Sequence, residues 1–231
     1  TVEHLLAALY ISEIDNAIIK IDNEEVPIMD GSAKDFLNTL AKIKIKTFTK
    51  KRKYLKILDN VELNDGERKI SIEPSNSSFE VYFQLDYKNK IIGKQKNLVN
   101  FSNDDLKQVI ESRTFCLYED IEKIKKAGLA KGGSLDNAVV VDKDKVLNEG
   151  GLRNNREFVN HKILDLAGDF LLSGYRILGK VTCYHGGHEL TNMFLRKLLN
   201  SKSAISSIEL ENNIIGKKII SDHSIKIAVN A

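Results

Sequence analysis

The sequence is poor in the features that build disulfide frameworks and membrane spans. Its 231 residues include two prolines and two cysteines, Cys116 and Cys183. Two cysteines cannot build a disulfide framework, and they fit a reducing compartment. No apolar run approaches the roughly 20 residues that a membrane-spanning helix needs, which excludes such a helix. Because the sequence also shows no signal peptide, we expect a cytoplasmic protein.

The remaining composition is that of an ordinary globular protein. Hydrophobic residues make up 42% of the chain and charged residues 29%, and its length suits one large domain or two small ones. The net charge of +3 is too small to indicate nucleic-acid binding by itself. The chain begins at Thr1, without an initiator methionine and directly in a helical pattern, so we expect it to be N-terminally truncated.

Helical and strand patterns follow one another irregularly along the chain. Apolar spacing predicts helices over 1–9, 34–43, 104–111, 119–126, 156–173 and 189–199. Apolar runs and alternation predict strands over 18–21, 79–87, 138–141 and 177–184. Asn64-Asp65-Gly66 predicts a hairpin turn between two further strands. Since hairpins favour antiparallel pairing and the elements do not alternate regularly, the expected class is α+β, with helices layered on sheets.

Two stretches of about 40 residues are weakly similar to each other. Each begins with a Val-x-His sequence that opens a predicted helix, followed by a strand pattern, a glycine loop and a second helix. Three pairs of residues then lie at nearly equal offsets from the two valines: Gly31 with Gly187, Phe36 with Phe194, and Leu40 with Leu198. We infer two related halves, each presenting one histidine. If the halves face each other, His4 and His161 converge.

Basic residues crowd the span 42–56, and two interpretations of them stay open. They are Lys42, Lys44, Lys46, Lys50, Lys51, Arg52, Lys53 and Lys56. The first interpretation is a solvated linker, with a domain boundary near residues 46–53. The second is a phosphate-binding patch, which would make the chain a non-catalytic RNA- or nucleotide-binding module. That module would bind with a steep salt dependence and without a metal.

One predicted helix carries a histidine and an aspartate four residues apart. This spacing places His161 and Asp165 on one face, within reach of one metal ion, and Asp169 extends that face by a turn. A catalytic zinc needs a third ligand and an open position for water, and His4 is the candidate if the halves pair. Two imidazoles and a carboxylate suit zinc, with ferrous iron as the alternative. An ordinary surface or core use of the histidine and aspartate is the competing interpretation.

Further carboxylates and histidines lie near this pattern. Glu3 precedes His4, where it either takes a proton from metal-bound water or simply stabilises a helix N-terminus. His185 and His188 flank two glycines between a predicted strand and a predicted helix. One of them could act as a general acid whose charge Asp169 supports, or the two could form a ligand pair.

Several motifs together resemble the UDP-3-O-acyl-N-acetylglucosamine deacetylase family. They occur in family order from residue 1 to about 200, and the set is far more specific than any single motif. The quoted stretches are Thr1-Val2-Glu3-His4-Leu5, Pro27-Ile28-Met29-Asp30-Gly31-Ser32, Ser112-Arg113-Thr114-Phe115, Gly128-Leu129 with Gly132-Gly133-Ser134, Val146-Leu147-Asn148-Glu149, Phe158-Val159-x-His161-Lys162-x-x-Asp165-x-x-Gly168-Asp169, and Gly187-His188 with Asn192.

The resemblance implies a zinc-dependent amidohydrolase of lipid A biosynthesis, with ferrous iron as the alternative metal. Its substrate would be UDP-3-O-acyl-N-acetylglucosamine, from which it would release acetate. Carried over residue by residue, the metal ligands would be His4, His161 and Asp165. The catalytic residues would be Glu3 as general base, His188 as protonated acid, Asp169 as the support of its charge, and Thr114 as a hydrogen-bond donor near the oxyanion.

The resemblance also implies where the substrate lies. Lys162 would contact it, and an insert at about 113–142 would build a passage for its acyl chain. The residues expected to line that passage are Phe115, Leu117, Ile121 and Ala130. We expect a monomer that binds no nucleic acid. It has no transmembrane segment, and its lipid product would bring it transiently near the inner membrane.

The implied fold is a pair of related two-layer α/β sandwich domains packed face to face, the first incomplete in this chain. Residues 1–46 would be the C-terminal part of the first sandwich and residues 47–53 a basic linker. Residues 54–205 would form the second sandwich, with the insert, and residues 206–231 a C-terminal tail. The internal similarity of the chain agrees with this arrangement.

Overall fold

The computed structural model of the chain describes residues 2–75, 78–126, 128 and 131–211. The helices in this part are α1 (Val2–Ile11), α2 (Lys34–Leu40), α3 (Lys107–Glu111), α4 (Ile121–Lys126), α5 (Glu157–Leu171) and α6 (His188–Asn200). The strands are β1 (Arg52–Ile57), β2 (Val61–Asp65), β3 (Arg68–Pro74), β4 (Phe79–Asp86), β5 (Lys94–Asn100), β6 (Phe115–Leu117), β7 (Val139–Asp142), β8 (Lys145–Val146), β9 (Arg176–Tyr184) and β10 (Ile205–Leu210). The predicted α+β class is confirmed.

Seven strands form one sheet in which β9 is the central strand. Along residues 179–184, β9 pairs with β3 on one side, antiparallel, and with β4 on the other, parallel. Its first residues pair with β1 in parallel, and β10, β2 and β5 add antiparallel neighbours to β1, β3 and β4. The predicted alternation holds in β4, where Phe79, Val81, Phe83 and Leu85 are buried. One face of this strand therefore packs into the core.

Helix α5 packs on the sheet and carries α1 on its other side. Nearly every residue of α5 is buried, because β4, β5, α1, α3 and α6 all contact it. The crossing with α1 is unusually close at Gly168. A Cβ atom on this residue would overlap the carbonyl oxygen of Glu3. The absence of a side chain at Gly168 is what lets α1 approach α5.

The C-terminal end of α1 is fastened to the sheet by two arginines. The Arg176 guanidinium lies 4.5 Å from the centroid of the Tyr10 ring and donates to the Tyr10 carbonyl oxygen at 2.9 Å. Arg176 and Arg52 also donate to the two carboxylate oxygens of Asp15, at 3.1 and 2.9 Å. Arg52 completes the group by donating to the Glu13 carbonyl oxygen at 2.9 Å. Strands β1 and β9 thus fix one end of the helix.

A separate small sheet lies at residues 115–146, which overlap the predicted insert at about 113–142. Strands β6 and β7 pair in parallel, with α4 between them in the chain, and β8 adds an antiparallel edge to β7. The loop before α2 packs against this insert. The Gly31 carbonyl oxygen accepts from the Thr114 N–H at 2.8 Å, and a Cβ atom on Gly31 would overlap the carbonyl oxygen of Asn137. Gly31 also has a φ of +81°, so both its backbone and its surroundings require glycine.

The structure differs from the sequence expectation in several places. The strand predicted over 18–21 is wrong, because these residues have no strand partner in the described part of the chain and Ile18 is 92% exposed. Strand β1 begins at Arg52, inside the predicted linker 47–53, and β10 carries the sheet through Leu210, beyond the predicted boundary at 205. The domain division stays a prediction. Residues 212–231 of the predicted tail lie outside the described residues.

No helix in the described ranges has both the length and the apolar content that crossing a membrane requires.

Candidate active site

Three potential metal ligands meet where α1 crosses α5. The His161 Nε2 atom lies 3.1 Å from Asp165 Oδ1, and the His4 Nε2 atom lies 3.5 Å from the same oxygen. The two imidazole rings are 4.9 Å apart between centroids and nearly perpendicular. The donor atoms of all three residues lie within 4.8 Å of one another, and all three side chains are buried. The structure therefore brings together the two histidines that the internal similarity pairs.

The hydrogen bonds around these residues fit a cation. The His161 Nδ1 atom lies 3.1 Å from the Ser112 carbonyl oxygen. Since a carbonyl oxygen only accepts, Nδ1 carries the proton and Nε2 directs a lone pair toward Asp165. The buried Asp165 Oδ1 atom receives no hydrogen bond from any described residue. Two lone-pair atoms facing each other at this distance repel, and a divalent metal between them would relieve that repulsion.

The protonation states also suit metal binding. Burial acts to raise the pKa of Asp165, but the Lys162 ammonium, whose Nζ lies 2.8 Å from Asp165 Oδ2, holds it well below its usual range. Burial lowers the pKa of His161 despite the opposing charge of Asp165. An ionised carboxylate and a neutral imidazole are the forms that coordinate a metal.

A second pair of acid–base groups borders the three potential ligands. Glu3 Oε1 lies 3.7 Å from His4 Nε2 and 3.7 Å from His188 Nε2, so it stands between the buried cluster and His188. His188 Nδ1 lies 2.8 Å from Asp169 Oδ2. That hydrogen bond raises the pKa of His188 against the opposing effect of burial, while burial raises the pKa of Asp169. The hydrogen bond to Asp169 therefore favours the protonated form of the His188 imidazole.

The site opens to solvent on the side of His188, whose side chain is 52% exposed. His188 is the first residue of α6, directly after the glycines that follow β9. Both surface depressions next to the cluster are bordered by His188 and Asp169. Lys162 lines one of them and Glu3 the other. The depression lined by Lys162 is also lined by Asp165, so it brings one of the three potential ligands together with His188 and Asp169 at the surface.

The predicted substrate-contacting residues lie partly beside this cluster. The Phe115 ring centroid is 6.3 Å from that of His161, and Lys162 Nζ is 5.8 Å from the Phe115 ring centroid. Leu117 is partly buried against the core, and Ile121 is partly buried at the start of α4. Thr114 hydrogen-bonds through its backbone to Gly31 and Val139. Ala130 lies outside the described residues.

Two alternatives from the sequence find no support in the geometry. Neither group of potential metal ligands among the described residues includes His185, so the His185–His188 pair is not assembled as a ligand pair. The basic span 42–56 is not a free patch throughout, since Arg52 is committed to Asp15 and Glu13. No observation on the described residues favours the RNA-binding interpretation.

The sequence assigns no individual role to two residues that lie near His161 in the structure. Ser112, whose carbonyl faces the ring, appeared only as part of a motif, and the fully buried Glu157 was given no role. Glu157 lies four residues before His161 on α5. That spacing was the available signal, but an acidic residue in the first turn of a helix is ordinarily explained by the helix dipole.

Comparison with known proteins adds a family match. The family model described as "LpxC: UDP-3-O-acyl N-acetylglycosamine deacetylase" matches residues 1–200. The chain is 42% identical over 203 residues to the UDP-3-O-acyl-N-acetylglucosamine deacetylase of Syntrophus aciditrophicus, covering 87% of this chain and 64% of that relative.

Two further relatives carry the same name. The Helicobacter pylori (strain J99) protein is 40% identical over 200 residues, which cover 86% of this chain and 68% of the relative. The Shewanella violacea protein is 41% identical over 214 residues, which cover 91% of this chain and 70% of the relative. The chain therefore spans about two-thirds of the length of these relatives.

Proposed function

Because the chain belongs to the LpxC family of UDP-3-O-acyl N-acetylglycosamine deacetylases, we propose that it removes acetate from UDP-3-O-acyl-N-acetylglucosamine in lipid A synthesis. The reaction is the hydrolysis of an amide bond. The observation that carries this proposal is the convergence of His4, His161 and Asp165 within 4.8 Å, with Glu3 and His188 at the rim.

The three converging residues are the proposed metal ligands, and zinc is the proposed metal, with ferrous iron as the alternative. Two imidazole nitrogens and one carboxylate oxygen suit both ions, and three protein ligands leave a position open. When bound, such a cation lowers the pKa of a coordinated water molecule to about 7 and polarises an amide carbonyl.

Glu3 is the proposed general base. Burial and the Asp165 carboxylate act to raise its pKa, but a backbone hydrogen bond opposes them, and the pKa of Glu3 lies below its ordinary value. Glu3 is therefore ionised at neutral pH and can accept a proton. It takes the proton of the attacking water as the water oxygen bonds to the acetamide carbon.

His188 is the proposed general acid. Its pKa is raised by Asp169, so the ring is charged at the pH where Glu3 is ionised. The imidazolium stabilises the developing oxyanion and then gives its proton to the nitrogen as the C–N bond breaks, which releases acetate and a free amine. The Thr114 hydroxyl is a proposed further donor to the oxyanion. Loss of one such preorganised donor typically costs about 3 kcal/mol of barrier.

The substrate is proposed to extend from this site along the insert. Lys162 is a suitable contact, because it lies beside both Asp165 and the Phe115 ring. Phe115, Leu117, Ile121 and Ala130 are the proposed lining of the acyl passage, and the position of Phe115 next to His161 supports this for the entrance. Location in the cytoplasm and a monomeric state also remain predictions.

Metal content and acetate release together test the proposal. We expect the protein to bind about one zinc or iron ion per chain and His161→Ala to lose it, by elemental analysis. Acetate release from UDP-3-O-acyl-N-acetylglucosamine should disappear in the same variant. His185→Asn is the matched control, since asparagine tolerates the positive φ of this position and metal should remain. Loss of metal in His185→Asn with retention in His161→Ala would contradict the proposed ligand set.

A further inference from the structure

One peptide bond connects two residues of α5 that lie on the same face. The Ser112 carbonyl oxygen accepts a hydrogen bond from His161 Nδ1 at 3.1 Å. The Arg113 N–H, which belongs to the same peptide bond, donates to Glu157 Oε1 at 3.1 Å. Glu157 and His161 are four residues apart, one turn of the helix. The peptide is therefore held at both ends by α5.

The Glu157 carboxylate is itself held in one orientation. The side chain is fully buried, and the Arg113 guanidinium binds it through Nε at 2.8 Å and Nη2 at 3.2 Å. The Arg153 N–H donates to Oε2 at 2.6 Å. The Arg113 side chain is fixed in turn by the Gly151 carbonyl oxygen at 2.8 Å. A buried carboxylate held by this many donors has little freedom to rotate.

We propose that Glu157 is a positioning residue for the metal ligand His161, acting through the peptide bond between Ser112 and Arg113. This inference rests on the proposed function, in which His161 binds the metal. By accepting from the N–H, the carboxylate orients the peptide so that its carbonyl faces the imidazole. It also polarises the peptide, which strengthens the carbonyl as an acceptor.

Two consequences for His161 follow from that peptide. The carbonyl selects the tautomer with the proton on Nδ1, because only that tautomer can donate to it. The lone pair of Nε2 is then directed at the site where His4 and Asp165 converge. An imidazole that donates its second nitrogen to a strong acceptor is also a more basic ligand. Glu157 therefore acts on the metal without touching it.

If the ion pair between Glu157 and Arg113 is purely structural, a different result is expected. If Glu157 only fastened Arg113 to α5, its replacement would lower stability without changing His161. The surroundings allow this distinction, because Ser112 is held independently of Glu157. Its hydroxyl donates to the Gln108 carbonyl oxygen at 2.6 Å and accepts from Asn154 Nδ2 at 3.2 Å. The segment thus keeps an attachment when the carboxylate is replaced.

The test compares Glu157→Ala and Glu157→Gln with Ile72→Ala. Ile72 is a buried residue of β3, a strand that packs against α6, and its truncation lowers stability without touching the peptide. Zinc affinity is measured by competition with a chelator, and the His161 tautomer by ring ¹⁵N chemical shifts of the metal-free protein. We expect Glu157→Ala to bind zinc about 10–100-fold more weakly and to lose the pure Nδ1–H tautomer.

The other two variants calibrate this result. Glu157→Gln keeps one acceptor for the Arg113 N–H, so we expect a zinc affinity between those of the unsubstituted protein and Glu157→Ala. Ile72→Ala should melt at a lower temperature with unchanged zinc affinity and an unchanged tautomer. If Glu157→Ala does not fold, Glu157→Gln carries the test by the same two measurements.

Two outcomes overturn the inference, and they differ. If folded Glu157 variants bind zinc within about twofold of the unsubstituted protein and keep its His161 ¹⁵N shifts, Glu157 is structural only and the proposed metal site stands. If the unsubstituted protein itself binds no zinc or iron, the proposed metal site is wrong and the role of Glu157 falls with it.

Discussion

The two regions that supply the proposed ligands use the same order of elements in different ways. The N-terminal unit, residues 2–40, runs from α1 through an apolar segment and a glycine loop to α2. The C-terminal unit, residues 157–200, runs from α5 through β9 to α6. Strand β9 lies at the centre of the sheet, whereas the apolar residues at 18–21 of the N-terminal unit are exposed and unpaired within the described chain. An apolar segment becomes a strand only where neighbours complete its hydrogen bonds.

The proposed ligand histidines of the two units, His161 and His4, also differ in how completely their hydrogen bonds are made. His161 is oriented by the Ser112 carbonyl, while His4 Nδ1 is buried without a hydrogen-bond partner among the described residues. The C-terminal unit thus presents a ligand of fixed orientation on a helix supported by the sheet. The N-terminal unit depends on the contact between α1 and α5 for the position of His4. The C-terminal unit therefore determines where α1 of the N-terminal unit binds, and with it the position of His4.

The strongest way to break this docking is Gly168→Ala. The added Cβ atom would overlap the Glu3 carbonyl oxygen, so α1 must shift and carry both Glu3 and His4 with it. We expect overpacking to cost about 1–3 kcal/mol of stability, with loss of both metal binding and acetate release. Thermal melting and elemental analysis measure the two effects. Ala167→Gly is the control, since it weakens the same helix by about 1 kcal/mol without adding volume. Loss of metal in this control as well would argue against a specific role for the contact between Gly168 and Glu3.

Removing the ligand of the N-terminal unit alone has the next largest effect. His4→Ala takes one of the three converging donors and leaves α1 in contact with α5. We expect zinc affinity to fall by more than about 100-fold, since replacing residues that merely support a ligand already costs 10–100-fold. Competition with a chelator measures this. Normal metal content and turnover in His4→Ala would refute the assignment.

The hydrogen-bonded pair of His188 and Asp169 in the C-terminal unit makes the stability of the protein depend on pH. His188 has a pKa above its ordinary 6.5 in the folded protein, because Asp169 accepts its hydrogen bond. The stability from this pair is therefore fully present below about pH 6.5 and declines as the pH rises through the raised pKa.

In kcat/KM, the same titration appears as a limb that falls above pH 6.5. Asp169→Asn removes the charge that supports His188, so we expect this limb to move to lower pH and the pH dependence of stability to flatten. Profiles of kcat/KM and of melting temperature against pH check both. A limb that stays in place in Asp169→Asn would show that His188 is not the group that titrates.

The smallest expected effect is a difference in stability between variants of the two apolar segments, residues 18–21 and strand β9. Ile18→Thr alters an exposed residue, and we expect a change within about 0.5 kcal/mol. Val181→Thr places a hydroxyl in the fully buried centre of β9, where an unpaired polar group costs about 1–3 kcal/mol. Denaturant unfolding of the two variants measures the difference. Equal losses would mean that residues 18–21 are buried in solution.

The sequence predicted the helices and strands in which the spacing of apolar residues matches the positions that are buried. The alternation from Phe79 to Leu85 and the continuous apolar face of α5 were legible, because both elements pack on one large core. Strand β1 was hidden by charge, since Lys53 precedes its buried residues and Lys56 interrupts them. Strand β5 was hidden by composition, because Val99 is its sole buried residue. Such strands form through pairing with their neighbours, which no local pattern reports.

The candidate site likewise has features that the local sequence predicts and features that depend on contacts distant in the chain. The spacing of His161 and Asp165 on one helix is a local property, and the sequence expresses it directly. The approach of His4 depends on a crossing of two helices 157 residues apart in the chain (His4 to His161), which the internal similarity and the family resemblance suggested. The spacing of Glu157 and His161 is visible in the sequence, but the role proposed for Glu157 depends on the peptide bond between Ser112 and Arg113, whose approach to α5 no local pattern reports.

The arginine contact at the far end of α1 has a mechanical consequence. Glu3 and Tyr10 are seven residues apart, so the reactive end of the helix lies about 10 Å from the end held by Arg176. Over that lever arm, a tilt of about 5° at the anchor displaces Glu3 by about 1 Å, an error that can cost about 100-fold in rate. Arg176, remote from the chemistry, therefore acts together with the crossing of α1 and α5 at Gly168 to fix the direction of the helix that carries the proposed base.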